Sequence, residues 1–95
     1  IEEGVGRVLL EAMSMHLPII ASNIGGIPLV IDDRQDGLLF EVGDINTLKE
    51  HVLFLLGNKS FSDNMSRTAY RKFLDNYEYE VSMRKFLAMY KVILD

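Results

Sequence analysis

Cysteine is absent from the 95 residues. That removes disulfide frameworks and thiolate metal sites, and it fits a reducing compartment. Histidine is nearly absent as well: His16 and His51 lie far apart, with no second histidine or acid at ligand spacing. They read as helix-end or surface residues, and no metal is expected. No apolar run is long enough to cross a bilayer, and the opening residues lack the pattern of a signal peptide. Basic excess is missing too. A net charge of -4 and a pI near 5.1 argue against a nucleic-acid groove or a polybasic membrane patch, although the final third is locally mixed in charge. Internal repeats and low-complexity linkers are also lacking. A chain of this length forms at most one small domain with little stability to spare.

What is present concentrates in residues 3 to 11, EGVGRVLLE. Val5, Val8, Leu9, Ala12 and Met13 recur at helical spacing and predict a helix from about Val5 to Met15, packed along one side and fed by a glycine-rich loop. Gly4 and Gly6 would let backbone approach a ligand, and the first free amides of a helix favour an anion such as phosphate. Glu3 and Glu11 would be about 12 Å apart along a continuous helix. That is wider than the roughly 5 to 9.5 Å of paired glycosidase carboxylates. The two acids are therefore expected to grip different parts of one ligand, each accepting hydrogen bonds from vicinal hydroxyls, with phosphates near the amides between them. A nucleotide sugar has that layout. A glutamate at a helix start also satisfies the helix dipole with no ligand at all, so spacing alone leaves both readings open. The glycines run GxGxxL, without an upstream strand or a later acidic residue, so the segment is not a dinucleotide fingerprint.

Beyond this segment, Leu17-Pro18 ends the helical pattern, and Ile19, Ile20 and Ala21 form a short buried strand. Its lack of polar alternation predicts a parallel strand covered on both faces, hence an α/β sandwich. Gly25-Gly26 makes a second glycine turn, Pro28 begins a short helix through Val30 and Ile31, and Asp32 to Asp36 is a polar loop closed by Gly37. Leu38, Leu39, Phe40 and Val42 predict a second strand, and Gly43-Asp44 a break and helix N-cap. A helix follows from Ile45 to Leu56, with Ile45, Leu48, Val52, Leu55 and Leu56 on its packed face and Gly57-Asn58 as its stop. From Ser60 the stripe of Phe61, Met65, Ala69 and Phe73 predicts another helix, and Met83, Phe86, Tyr90 and Ile93 predict a last one over about Glu80 to Leu94. Two parallel strands do not make a stable sheet alone, so further strands are expected outside this chain. An opening at Ile1-Glu2 directly before the glycine segment points to a fragment of something longer. Ile19, Ile20, Leu38 and Phe40 are then expected to be left uncovered, which would drive self-association or partial disorder.

With these residues in view, the chain resembles the C-terminal part of retaining GT-B glycosyltransferases of the large family 4 type. The resemblance covers essentially all 95 residues. It rests on EGVGRVLLEAM as the family's Glu-x7-Glu motif, on LPIIASNIGGIP as its strand and glycine turn, and on DGLLFEVGD as its strand leading into the helix from Asp44. Its implied fold class is α/β: a partial Rossmann-like fragment, residues 1-95, with two short parallel strands and about four main helices, forming the C-terminal half of a nucleotide-sugar donor-binding domain.

The resemblance implies that Glu3 contacts donor-sugar hydroxyls and supports positive charge developing near the reacting carbon, making it the catalytic residue. Glu11 would hold the ribose hydroxyls, and the amides of Gly4, Val5, Gly6, Arg7 and Val8 would face the sugar and diphosphate. Metal and cofactor are not expected; the nucleoside diphosphate sugar is the substrate, and a glycan or lipid-linked acceptor meets a domain absent here. The implied parent is cytoplasmic, with membrane contact made by that same absent domain. Three departures stand out: Val5 where an aromatic residue is common, His16 where glycine is, and Leu29 where glutamate is. Two alternatives remain open, a non-catalytic nucleotide-sugar or phosphate-binding scaffold and an epimerase of the same architecture.

Overall fold

The computed structural model describes the backbone of residues 3–79 and 81–83 and the side chains from residue 6 onward. Its elements alternate as the apolar pattern requires: α1 (Glu3–Ser14), β1 (Ile20–Ser22), α2 (Ile27–Val30), β2 (Leu38–Phe40), α3 (Ile45–Gly57) and α4 (Lys59–Asn76). The strands pair in parallel, Ile20 opposite Leu38 and Ser22 opposite Phe40, with α2 in the crossover between them. This is the α/β fold class expected from the unalternated strand sequence. The helix predicted over Glu80 to Leu94 lies outside the described residues except at 81–83, which are helical.

The core forms where α1 and α4 close over one face of the strand pair. Leu9, Leu10 and Met13 of α1 meet Ala69 and Phe73 of α4, with Ile19, Ile27, Val30 and Ile31 from the β1-to-β2 region completing the cluster. Met13 and Ala69 are 0% exposed. The buried stripe of α1 is Gly6, Leu9, Leu10 and Met13, at i, i+3, i+4 and i+7. That corrects the expected stripe by one residue: Val8 is 65% exposed and Leu10 takes its place. The predicted stripe of α4 holds, with Met65, Ala69 and Phe73 buried and Phe61 half-buried edge-on to Phe54, ring centroids 5.0 Å apart.

Two further expectations fail. Ile19 and Leu38 are buried and Ile20 and Phe40 half-buried: Ile19 joins the α1–α4 cluster, and α3 packs on β1 and β2. The unpartnered apolar surface lies instead on α3, which buries no residue; Ile45 and Leu56, assigned to its packed face, are 66% and 78% exposed. Val42 is not in the second strand but in the turn after it, also exposed.

A polar contact locks the crossover to α4. Asp36, read as part of a polar loop, is buried; its Oδ1 accepts the Asp32 N–H at 2.7 Å and its Oδ2 pairs with the ammonium of Lys72. The same ammonium donates to the Val30 carbonyl at 2.8 Å and to Asp32 Oδ2 at 2.9 Å. Burial alone would lower the Lys72 pKa, but hydrogen bonds to Asp36 and Asp32 and their negative charge outweigh it and hold the group above the ordinary lysine value. This contribution is fully present below the unfolded lysine pKa and is lost only as pH rises through the raised folded value. Gly37 completes the joint: a Cβ there would meet Ile31 Cγ2 at 2.7 Å and the Ile19 carbonyl at 3.3 Å.

Two outcomes follow for unfolding by urea. Lys72→Met strands the Asp36 carboxylate and is expected to cost about 3 kcal/mol at pH 7. Gly37→Ala is expected to cost about 1 to 3 kcal/mol through the backbone and Ile31 clash; an unchanged midpoint would show that the crossover yields freely.

Candidate donor-binding end of the sheet

A parallel sheet gathers its ligand-facing loops at the carboxyl ends of its strands. Here those are residues 23–26 after β1 and 41–44 after β2. The link from α1 to β1 is short, residues 15–19, so α1 runs back along β1 and its first turn sits at the same end. Glu3, Gly4 and Gly6 are thereby brought to the end of the sheet that carries the Gly25-Gly26 turn.

The glycine segment differs in form from the expectation. α1 already begins at Glu3, so Gly4 and Gly6 belong to its first turn and not to a loop before it. A helix formed from Glu3 uses the N–H groups of Arg7 and Val8 internally. Gly6 is buried on the core face, while Arg7, Val8 and Glu11 are exposed on the opposite one. Glu3, Arg7 and Glu11 follow one another at steps of four along a single ridge, and eight residues of helix separate the two acids by about 12 Å. The Ser14 hydroxyl donates to the Glu11 main-chain carbonyl at 2.7 Å and not to its carboxylate.

The neighbouring loops are tied to one another. Asn23 donates its N–H to the Phe40 carbonyl at 2.8 Å and its side-chain amide to Glu41 Oε1 at 3.1 Å, bracing the ends of β1 and β2. Gly25 adopts φ +58 with nothing within 4 Å of where a Cβ would stand, so glycine is needed for conformation and not for space. Asp44 caps α3, accepting from the Thr47 N–H at 3.0 Å and from its hydroxyl at 2.6 Å, and the side-chain bond first, then the backbone bond, hold its carboxyl below the usual aspartate range. A surface concavity of about 660 Å³ lies elsewhere, along α4 beside Arg67, Tyr70 and Arg71, and contains none of these carboxyl-end residues. Among the described residues no group of three or more His, Cys, Asp or Glu converges as a metal set, and no helix is long and apolar enough to cross a membrane.

Residues 1–72 match the family described as Glycosyl transferases group 1. The chain belongs to this family. Over 93 residues it is 32% identical to N-acetyl-alpha-D-glucosaminyl L-malate synthase of Bacillus anthracis, a match covering 98% of this chain and 24% of that protein. Among solved structures, a glycosyltransferase from Rickettsia africae superposes with a TM-score of 0.74 at 25% identity, covering 95% of this chain and 24% of the other. Sucrose-phosphate synthase from Thermosynechococcus elongatus superposes equally well, TM-score 0.74, at 22% identity over 92% of this chain and 22% of its own, which speaks to the fold. The chain spans about a quarter of the length of the curated relatives it matches. Its strands and helices are thus part of a group 1, GT-B glycosyltransferase fold.

Three contacts of this group 1 chain go beyond the sequence expectations. His51 is neither a helix-end nor a fully exposed residue; it stands within α3, half-buried, and its Nε2–H donates to the Leu39 carbonyl at 2.9 Å. Asp33 Oδ1 accepts the Leu39 N–H at 2.9 Å. Leu38 and Phe40 bond toward β1, so Leu39 turns both backbone groups to the outer edge of β2, where these two side chains close it. His16, placed at a helix end as expected, takes φ 58 and completes a Schellman motif: its N–H bonds the Met13 carbonyl at 3.3 Å and the Leu17 N–H bonds the Ala12 carbonyl at 3.0 Å. Its ring lies edge-on to Tyr70, centroids 3.9 Å apart. The ring contact offsets the strain that a glycine would avoid. His16→Ala keeps the strain and loses the ring, so it is expected to fall about 1 kcal/mol below His16→Gly in thermal unfolding; equal stabilities would mean that the left-handed residue carries no strain.

Proposed function

We propose that the chain is the C-terminal half of the donor-binding domain of a glycosyltransferase, whose parent moves a sugar from a nucleoside diphosphate to a glycan or lipid-linked acceptor. The observation that carries this reading is the Glu3-to-Glu11 ridge, lying in a group 1 glycosyl transferase chain with its first turn at the carboxyl end of two parallel strands. Two glutamates eight residues apart on one helix, about 12 Å of rise, suit two hydroxyl-bearing rings, and the first amides of that helix suit a phosphate.

In this reading Glu3 accepts hydrogen bonds from donor-sugar hydroxyls and stabilises the positive charge that grows at the anomeric carbon as the C–O bond to the diphosphate breaks. Glu11 fixes the ribose by its hydroxyls. Gly4, Val5 and Gly6 contribute amides, and Arg7 and Val8 present exposed side chains beside them. The acceptor hydroxyl forms the new glycosidic bond, its proton leaving with the departing nucleoside diphosphate. The protein acts by positioning and electrostatics and forms no covalent bond to the sugar. Basic residues outside this chain, and no metal ion, neutralise the diphosphate.

The test uses the intact parent protein with a panel of uridine and guanosine diphosphate sugars. One donor is expected to be consumed, with Glu3→Ala lowering kcat about 100-fold or more and Glu11→Ala acting mainly by weakening donor binding. The 95-residue chain alone is expected to show no turnover, since most transition-state contacts lie outside it. If the intact protein neither binds nor turns over any donor, the scaffold alternative replaces this reading.

A further inference from the structure

The turn through Gly25 and Gly26 is pinned from both sides. On the strand side Asn23 is bonded to the Phe40 carbonyl and to Glu41. On the other side three backbone hydrogen bonds hold it: Ile27 N–H to the Ile24 carbonyl at 3.2 Å, Leu29 to Gly26 at 3.0 Å and Ile31 to Ile27 at 2.9 Å. The Val30 carbonyl within this run is the one that Lys72 Nζ grips at 2.8 Å. α2 is a single turn, about 6 Å of rise, so one helical turn separates the grip from the Gly25–Gly26 turn. Lys72 is itself held by Asp32 and the buried Asp36, and it rides on α4, whose buried face packs against α1, the helix bearing Glu3 and Glu11.

We propose that Lys72 is a positioning residue for the donor site: through Val30 and α2 it sets the Gly25–Gly26 turn relative to the Glu3–Glu11 helix. The turn then forms a wall of the nucleotide-sugar crevice, at the carboxyl end it shares with the first turn of α1. This inference rests on the glycosyltransferase reading above. It gives α4, remote from the carboxyl-end loops in sequence, a part in holding both walls at a fixed spacing.

The experiment titrates UDP-glucose, UDP-N-acetylglucosamine and GDP-mannose into the intact parent protein by calorimetry, at a temperature where circular dichroism shows each variant folded. Lys72→Met is expected to raise the donor Kd about tenfold and Lys72→Arg to recover most of it. Met65→Ala, a buried change on the same helix seven residues from Lys72, is expected to lower the melting temperature and leave Kd unchanged. Should Lys72→Met fail to fold, the double variant Lys72→Met/Asp36→Asn removes the stranded charge while still lacking the grip on Val30, and the same tenfold loss is expected. A wild-type Kd in folded Lys72→Met or in Lys72→Met/Asp36→Asn, or an equal loss in Met65→Ala, overturns the positioning role alone. Wild-type protein that binds none of the three donors overturns the glycosyltransferase reading, and this inference with it.

Discussion

Two strands of three residues offer too few ladder hydrogen bonds to hold a sheet, so the order of this molecule depends on the seam between α1 and α4. Met13 and Ala69 lie at its centre with no exposed surface, and Leu9, Leu10 and Phe73 extend it. Burying side chains of this size is worth roughly 1.5 to 3 kcal/mol each, far more than the few strand bonds return on balance. The strands are aligned because helices hold them. Their direction then decides which end of the sheet collects the glycines and the acids.

The Lys72–Asp36 pair is a different kind of constraint. Removing two charges from water costs several kcal/mol, and their attraction recovers this only when the remaining hydrogen-bonding capacity is also filled. Here it is: Asp36 accepts from the Asp32 amide, and Lys72 donates to Asp32 and to the Val30 carbonyl. The pair adds geometry more than stability, fixing where the crossover sits against α4. At the other end of the sheet the polar contacts are exposed, as in the Asn23–Glu41 brace, and leave the surface open to a ligand.

The edge of β2 shows how local sequence and long-range packing divide the work. An outer strand with free backbone groups invites pairing with another chain. Asp33, six residues from Leu39, and His51, twelve residues away, satisfy its amide and carbonyl instead. Asp33 acts through a turn that local chemistry encodes. His51 reaches Leu39 only because α3 folds back across the strand, and in the sequence it looks like any isolated histidine. The exposed apolar face of α3 is likewise invisible to periodicity, which reports that a stripe exists and not whether anything covers it.

Helix periodicity, the proline and glycine breaks, and the Asp44 cap determined the order of elements, because each is a short-range property that the neighbouring residues specify, while the unalternated strand sequence pointed to parallel pairing and the motif segments carried the family resemblance. Periodicity misjudged the burial of α1 by one position, Val8 for Leu10, since adjacent apolar residues leave the stripe ambiguous until a partner helix selects a side. It also took the first turn of α1 for a loop, because two glycines lower helix propensity without forbidding a helix. Only the tertiary structure decided that Asp36 is buried and paired and that Lys72 grips Val30. Lys72 and Asp32 stand 40 residues apart. No local propensity links residues at that distance; the packing of α4 on the β1-to-β2 crossover does.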